Sequence, residues 1–268
     1  MNILVSLNSN YIYPLCVMFN SIAKTNPCES LDVYVAYSSL TDEDFAKMER
    51  ALDGTDFRIH PVFVKDELFA DAPILSRTSK ETYYRLLIGD ILPENVHKIL
   101  YLDPDVVINK NLNELYNIDV SDYVLAGGCH LFGLVEMGNL ARLGLNPMGS
   151  YINAGILLIN LDNWRKTVTL KDIFDFINKK HRLLLLADQD VINVLFEKHS
   201  LVIDERKYNL DEKTFKAYSK KKSGEKRIDL DWVRRNTTVI HYNGKHKPWL
   251  EENYGGKLGE YFEKYKNI

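Results

Sequence analysis

Lys98-Ile99-Leu100-Tyr101-Leu102-Asp103-Pro104-Asp105-Val106-Val107-Ile108 sets two carboxylates, one residue apart, between two apolar runs. A short apolar run bounded by polar residues fits a buried strand of a parallel sheet. Acids do not belong inside such a strand unless they are paired or bind a metal. Their natural position is its carboxyl end, where open α/β sheets place ligands. Pro104 lacks a backbone donor, so the ladder should stop there. Alternate residues of a straight strand lie about 6–7 Å apart, so the two acids can meet on one ion only where the backbone bends. Oxygen ligands of this kind suit Mg²⁺ or Mn²⁺. The competing reading is a plain polar turn, because Asp-Pro-Asp is ordinary turn chemistry.

Upstream, residues 3–7 form an apolar first strand that ends in the polar loop Asn8-Ser9-Asn10-Tyr11. A helical pattern follows over residues 13–24, with Pro14 in its first turn. Residues 31–37 alternate as a second strand, and Thr41 before Asp42-Glu43-Asp44 reads as a helix N-cap with acids in the first turn. Gly54 marks the end of that helix. In a third strand, residues 57–64, Pro61 points to an edge position or a break. This β-α-β-α-β order is the first half of a nucleotide-binding sheet. Tyr83, Leu86, Leu87 and Ile91 give helical spacing within residues 76–92, with Pro93 beyond the end.

Downstream, a strand begins at residues 123–126 and runs into Gly127-Gly128, and residues 130–149 read as an excursion over the sheet. Residues 151–160 are a buried strand with Asn153 near its start, and helices follow over residues 170–180 and 189–198. A final strand, residues 237–241, delivers Tyr242-Asn243-Gly244-Lys245-His246-Lys247-Pro248-Trp249. The pattern is one α/β domain whose last ~60–70 residues are less regular.

Composition narrows the class. The chain has 268 residues, 46% of them hydrophobic, enough for one sizeable core. A formal charge of −3 gives no global attraction to nucleic acid, so no nucleic-acid partner is expected. Cys16, Cys28 and Cys129 form neither a zinc pattern nor a disulfide framework, which favours a reducing, cytoplasmic compartment. The first residues lack the basic region of a signal peptide, and the longest apolar runs are too short to span a bilayer.

Each further polar feature has a bland reading and a functional one. His241 is a surface histidine, or a metal ligand joined to a phosphate cradle in which Gly244 allows close backbone approach and Lys247 supplies a cation. Asp188-Gln189-Asp190 caps a helix, or grips sugar hydroxyls. Asn153 is a satisfied buried amide, or a ligand contact.

Together these pieces resemble a family 8 glycosyltransferase, the retaining galactosyl- and glucosyltransferases that include lipopolysaccharide enzymes and, more distantly, glycogenin. Five blocks match in order after the first strand with Asn8, Asn10 and Tyr11: Thr82-Tyr83-Tyr84-Arg85-Leu86, the diacid stretch, Asn153 to Leu161 with Trp164, Asp188-Gln189-Asp190, and His241-Tyr242-Asn243-Gly244 with Lys247-Pro248-Trp249. The resemblance implies a GT-A fold over residues 1–250, a single mixed, mostly parallel sheet flanked by helices, with residues 251–268 as a short tail. It implies a UDP-hexose donor and a saccharide or glycolipid acceptor such as lipopolysaccharide core. It assigns Mn²⁺, or Mg²⁺, to Asp103, Asp105 and His241. Asn8 and Asn10 would bind the nucleoside while Tyr11 stacks on uracil, and Arg85 would approach the donor. Asn153, Ala154, Asp188 and Gln189 would hold the sugar, and Gly244 and Lys247 the diphosphate. Longer relatives dock on membranes through a basic, aromatic tail, of which this chain has the short version Tyr261-Phe262-Glu263-Lys264-Tyr265-Lys266, so the expected membrane contact is weak and peripheral.

Gln189 would occupy the place of a nucleophile. An amide is a poor nucleophile beside a carboxylate, which favours attack on the same face as departure, with Asp188 and Asp190 the carboxylates to exclude. Two alternatives compete: a haloacid-dehalogenase-like phosphatase, whose first motif is also an apolar strand before Asp-X-Asp, and a non-catalytic UDP-sugar-binding module. Residues 216–227 hold six basic side chains and one acid, Glu225. They read as a solvated loop, or as a surface for an anionic acceptor or membrane.

Overall fold

The structure is a computed structural model that describes residues 1–65, 80–129, 134–221 and 226–267. Among the described residues nine strands are formed: β1 (Asn2–Ser6), β2 (Leu31–Tyr37), β3 (Phe57–Phe63), β4 (Lys98–Leu102), β5 (Val106–Ile108), β6 (Leu125–Cys129), β7 (Ile152–Asn160), β8 (Ser200–Ile203) and β9 (Val239–His241). Seven of them make one sheet in the order β3-β2-β1-β4-β7-β6-β8. β3, β2, β1 and β4 run parallel, β7 enters antiparallel to both β4 and β6, and β8 runs parallel to β6. β1 and β4 are covered on both faces, which is why they read as unbroken apolar runs. β3 lies at the edge, where the missing donor of Pro61 costs no ladder bond.

The expected mixed, mostly parallel sheet is formed. Beside it β9 and β5 make a small separate antiparallel pair. β4 already has β1 and β7 on its two sides, so after Pro104 the chain must leave the sheet. In the small pair Val106 lies opposite His241, which sets the imidazole one residue from Asp105.

The core lies on both faces of the large sheet. One face packs under the helices Ile12–Thr25 and Asp42–Ala51. The second packs under the segment 80–91 and the helices Leu161–Thr167, Leu170–Lys180 and Asp188–Leu195. Thr41 caps its helix as expected, accepting from the Asp44 amide while the Asp44 carboxylate accepts from the Thr41 amide at 3.1 Å. The expected helix over residues 76–92 is instead a 3₁₀ segment, Lys80–Leu87, and a single α turn, Ile88–Ile91, with residues 76–79 outside the described residues. Tyr83, Tyr84, Arg85, Leu86 and Leu87 are all buried there, so burial on all sides overrides α propensity. Within the expected excursion, Leu134–Leu143 is a helix, and residues 130–133 are outside the described residues. The last quarter is more regular than its pattern suggested, with the short helices Glu205–Tyr208, Glu212–Ser219, Leu230–Asn236 and Gly259–Glu263.

Tyr261, Phe262 and Tyr265 of the terminal segment are buried in a third cluster with Val107, Ile240 and Tyr242. Phe262 packs on Trp249 with ring centroids 5.6 Å apart. The tail's aromatic side chains therefore face the protein and are not presented to a bilayer. Among the described residues no helix is long and apolar enough to cross a membrane.

Trp164, in the matched sequence pattern, is a packing residue: its ring lies 4.4 Å from that of Phe196, and a side chain on Gly89 would meet its Cδ1 at 3.1 Å. Trp164→Ala should destabilise the fold by about 3–5 kcal/mol, read as a lower midpoint in urea unfolding with an unchanged slope.

Candidate active site

Asp103 follows the end of β4, and its amide donates to the Gly155 carbonyl of β7 at 2.7 Å. Asp105 stands two residues on, before β5, and His241 closes β9. Asp103, Asp105 and His241 each offer a ligand atom within 4.8 Å of the other two. Each carboxylate gives one oxygen to a fixed cation and turns the other toward His241. Asp103 Oδ1 accepts from Arg85 at 2.9 Å and from the Tyr101 hydroxyl at 2.8 Å, while its Oδ2 lies 3.6 Å from His241 Nε2. Asp105 Oδ2 pairs with Lys247, while its Oδ1 lies 3.2 Å from His241 Nε2. That Oδ1 is buried and has no hydrogen-bond partner. A Cβ on Gly155 would sit 2.7 Å from Asp103 Oδ2 and overlap His241 Cε1. A buried orphan oxygen, three convergent ligand atoms and a gap that only glycine leaves open fit a divalent cation.

Arg85 joins this trio to the helix Asp188–Leu195. It is buried, donates through Nε to the Thr82 carbonyl at 3.0 Å while that nitrogen lies 3.0 Å from Asp188 Oδ2, donates to the Ala154 carbonyl, and lies 4.2 Å over the Tyr101 ring. Burial alone would lower its pKa, but Asp103 and Asp188 push it above the ordinary value, so it stays cationic. Burial pushes Asp188 up to about 6, against the opposing charge of Arg85 and with help from Asp103. Burial also raises Asp105, but Lys247 and then His241 outweigh it and hold that acid well below the usual range. Gln189 Oε1 accepts from the Ala154 amide and from Asn153 Nδ2, both at 3.1 Å.

The sequence profile of "Glycosyl transferase family 8" matches residues 2–253. The chain belongs to that family. It is 25% identical over 249 residues to a lipopolysaccharide 1,2-glucosyltransferase of Escherichia coli strain K12, covering 93% of this chain and 72% of that protein. General stress protein A of Bacillus subtilis is 25% identical over 272 residues, 98% of this chain and 92% of that one. Among solved structures, the galactosyltransferase LgtC in complex with donor and acceptor sugar analogues superposes with a TM-score of 0.86 at 28% identity, covering 99% of this chain and 95% of that one. These findings bear out the resemblance, the GT-A fold and an enzyme that transfers sugars.

In this family 8 chain most of the expected site residues come together at the carboxyl ends of β1 and β4 and the start of β7. Asn8 caps the short 3₁₀ turn Ser9–Tyr11, accepting from the Asn10 amide at 3.1 Å, and the Asn10 residue itself is exposed. Tyr11 meets Trp249 edge-on at 6.2 Å, and burial, then Asp105 and Asp103, raise its phenol to about 12. Gly244 adopts φ +90° in the exposed turn that returns the chain to Lys247, whose ammonium also donates to the Tyr242 carbonyl at 2.6 Å.

Asp190 stands apart. It is fully buried and accepts from Arg142 at 2.8 and 3.0 Å, from Tyr151, and from the Leu186 amide at 2.8 Å. It anchors the turn in which Ala187 takes φ +50°, a strained value for a residue with a side chain, immediately before Asp188. Three contributors escape a reading of the sequence. Tyr101 faces Asp103 from inside β4, Glu81 accepts from Asn8 Nδ2 at 3.3 Å, and Asn209 lies 2.9 Å from His241 Nδ1. Tyr101 reads as a strand residue, and Asn209 has no motif around it.

Gly155→Ala should weaken divalent-cation binding at the trio by at least about tenfold, measured by calorimetry on folded protein; unchanged affinity would contradict the close approach. A second expectation concerns pH. Asp188 has a raised folded pKa, so its protonation favours the native state: that stabilisation is complete below about pH 4 and is lost as pH rises through about 6. Asp188→Asn should flatten the stability profile between those values.

Proposed function

We propose that the chain is a metal-dependent retaining hexosyltransferase that moves galactose or glucose from a UDP-sugar to a saccharide or glycolipid acceptor such as lipopolysaccharide core. The observation that carries this reading is the Asp103, Asp105 and His241 trio with its orphan oxygen, flanked by two buried cations. The relatives' names support the sugar and the acceptor class, one being a lipopolysaccharide 1,2-glucosyltransferase and another a galactosyltransferase. The catalytic unit would be residues 1–250, with residues 251–268 as a short tail.

Asp103, Asp105 and His241 would hold Mn²⁺ or Mg²⁺. Such an ion supplies Lewis-acid stabilisation of charge on a departing diphosphate. Lys247 and the Gly244 backbone would add oriented donors to the same oxygens. Tyr11 would stack on the base, with Asn8 and Asn10 on the nucleoside. Arg85, Asn153, Ala154, Asp188 and Gln189 would fix the hexose.

Same-face attack is the retaining route we favour. A covalent route needs a free carboxylate beside the anomeric carbon. Arg142 grips both Asp190 oxygens, and Arg85 holds Asp188. The acceptor proton then passes to the departing phosphate oxygen. A glycolipid acceptor would bring the protein to the cytoplasmic face of a membrane as a peripheral enzyme. The basic stretch at residues 216–227 would suit such a surface; its residues 222–225 are outside the described residues.

The test is transfer from UDP-galactose and UDP-glucose with Mn²⁺, with NMR of the product. We expect the α-linkage of the donor in the product and loss of turnover in EDTA. Full activity in EDTA, or a β-linked product, would overturn the reading. Tyr11→Ala should weaken UDP binding roughly tenfold.

A further inference from the structure

A chain of amide hydrogen bonds runs from the metal trio to Gln189, and two backbone amides fix its direction. A backbone N–H only donates. The Gly155 N–H lies 3.1 Å from one side-chain atom of Asn153, which must therefore be the oxygen, Oδ1. Asn209 Nδ2 donates to the same oxygen at 2.9 Å. The other end of that amide, Oδ1, then faces His241 Nδ1 at 2.9 Å. An oxygen at that place requires Nδ1 to carry the hydrogen. In the neutral ring Nε2 is then bare, and Nε2 is the atom aimed at Asp103 and Asp105.

The same logic runs outward. The Ala154 N–H lies 3.1 Å from the Gln189 atom that must be Oε1, and Asn153 Nδ2 donates to that oxygen as well. The Gln189 carbonyl is held by two donors, so its NH₂, which also reaches the Tyr151 hydroxyl, is the end that donates. Reversing Asn153 would bring donor against donor at Gly155, so the orientation is over-determined.

We propose that Asn209 is a positioning residue that couples the two halves of the site. It fixes the His241 tautomer that can accept a cation on Nε2, and through Asn153 it holds Gln189 as a hydrogen-bond donor toward the sugar. The effect on metal binding and turnover rests on the functional reading above. The tautomer itself does not.

Two variants separate the ends of the chain. Asn209→Asp keeps an acceptor for His241 Nδ1 but loses the donor to Asn153. Asn209→Leu loses both. ¹⁵N-histidine-labelled, metal-free protein at pH 8 should show His241 protonated on Nδ1 in the parent and in Asn209→Asp, and a mixed or reversed tautomer in Asn209→Leu. Mn²⁺ affinity by paramagnetic resonance should stay within about threefold for Asn209→Asp and fall about 10–100-fold for Asn209→Leu. Turnover of the UDP-sugar should fall about tenfold or more in Asn209→Asp although Mn²⁺ still binds. A purely structural role for Asn209 would not separate affinity from turnover. Should the leucine variant not fold, the aspartate variant and the parent spectrum still decide. An Nε2-protonated His241 in the parent overturns the proposal. So do equal losses in both variants, or none in either. A parent with the expected tautomer that binds neither Mn²⁺ nor UDP would sink the functional reading and leave the relay standing.

Discussion

Three carboxylates, Asp103, Asp105 and Asp188, crowd one buried corner, and the site exists because two buried cations are shared among them. Arg85 bridges Asp103 and Asp188, and Lys247 pairs with Asp105. Removing one member of a buried pair leaves an uncompensated charge at a cost of about 3–5 kcal/mol. The acids therefore cannot be assembled without the 3₁₀ segment that carries Arg85 and the turn that carries Lys247. Each cation takes one oxygen of its acid. What remains, one oxygen each on Asp103 and Asp105 turned toward His241 and a nitrogen of that histidine, is the candidate ligand set.

Sheet order brings those parts together. β7 enters antiparallel beside β4, so the end of one strand meets the start of the other, with Leu102 opposite Ile156. Asn153, Ala154 and Gly155 thereby lie against Asp103. The small β5–β9 pair then folds His241 back over Asp105. Gly155 is the point of closest approach, where a side chain would collide with both the ring and the acid.

The Asp188-Gln189-Asp190 run divides its labour by helix geometry. Residues two apart on a helix point about 200° apart, so Asp188 and Asp190 cannot both enter the site. Asp188 turns to Arg85, while Asp190 turns to Arg142 and the Leu186 amide and holds the strained turn at Ala187. Gln189, between them, reaches the mouth of β7.

The sequence by itself determined the strands of the first half, the break at Pro104 and the place of two acids at the end of a strand. These signals are local: apolar runs, a missing donor, acids at the end of a strand. It also carried the family pattern, because those residues keep their order and spacing along the chain. Tertiary structure alone decided the 3₁₀ winding around Arg85, the separate β5–β9 pair, and which aspartate of the helix faces Arg85. It alone recruited Tyr101, Glu81 and Asn209, and turned the tail's aromatic rings inward. The physical reason is that a hydrogen bond such as that between His241 and Asn209 joins positions 32 residues apart, and no periodicity or spacing in the chain encodes which distant amide will be buried beside which ring.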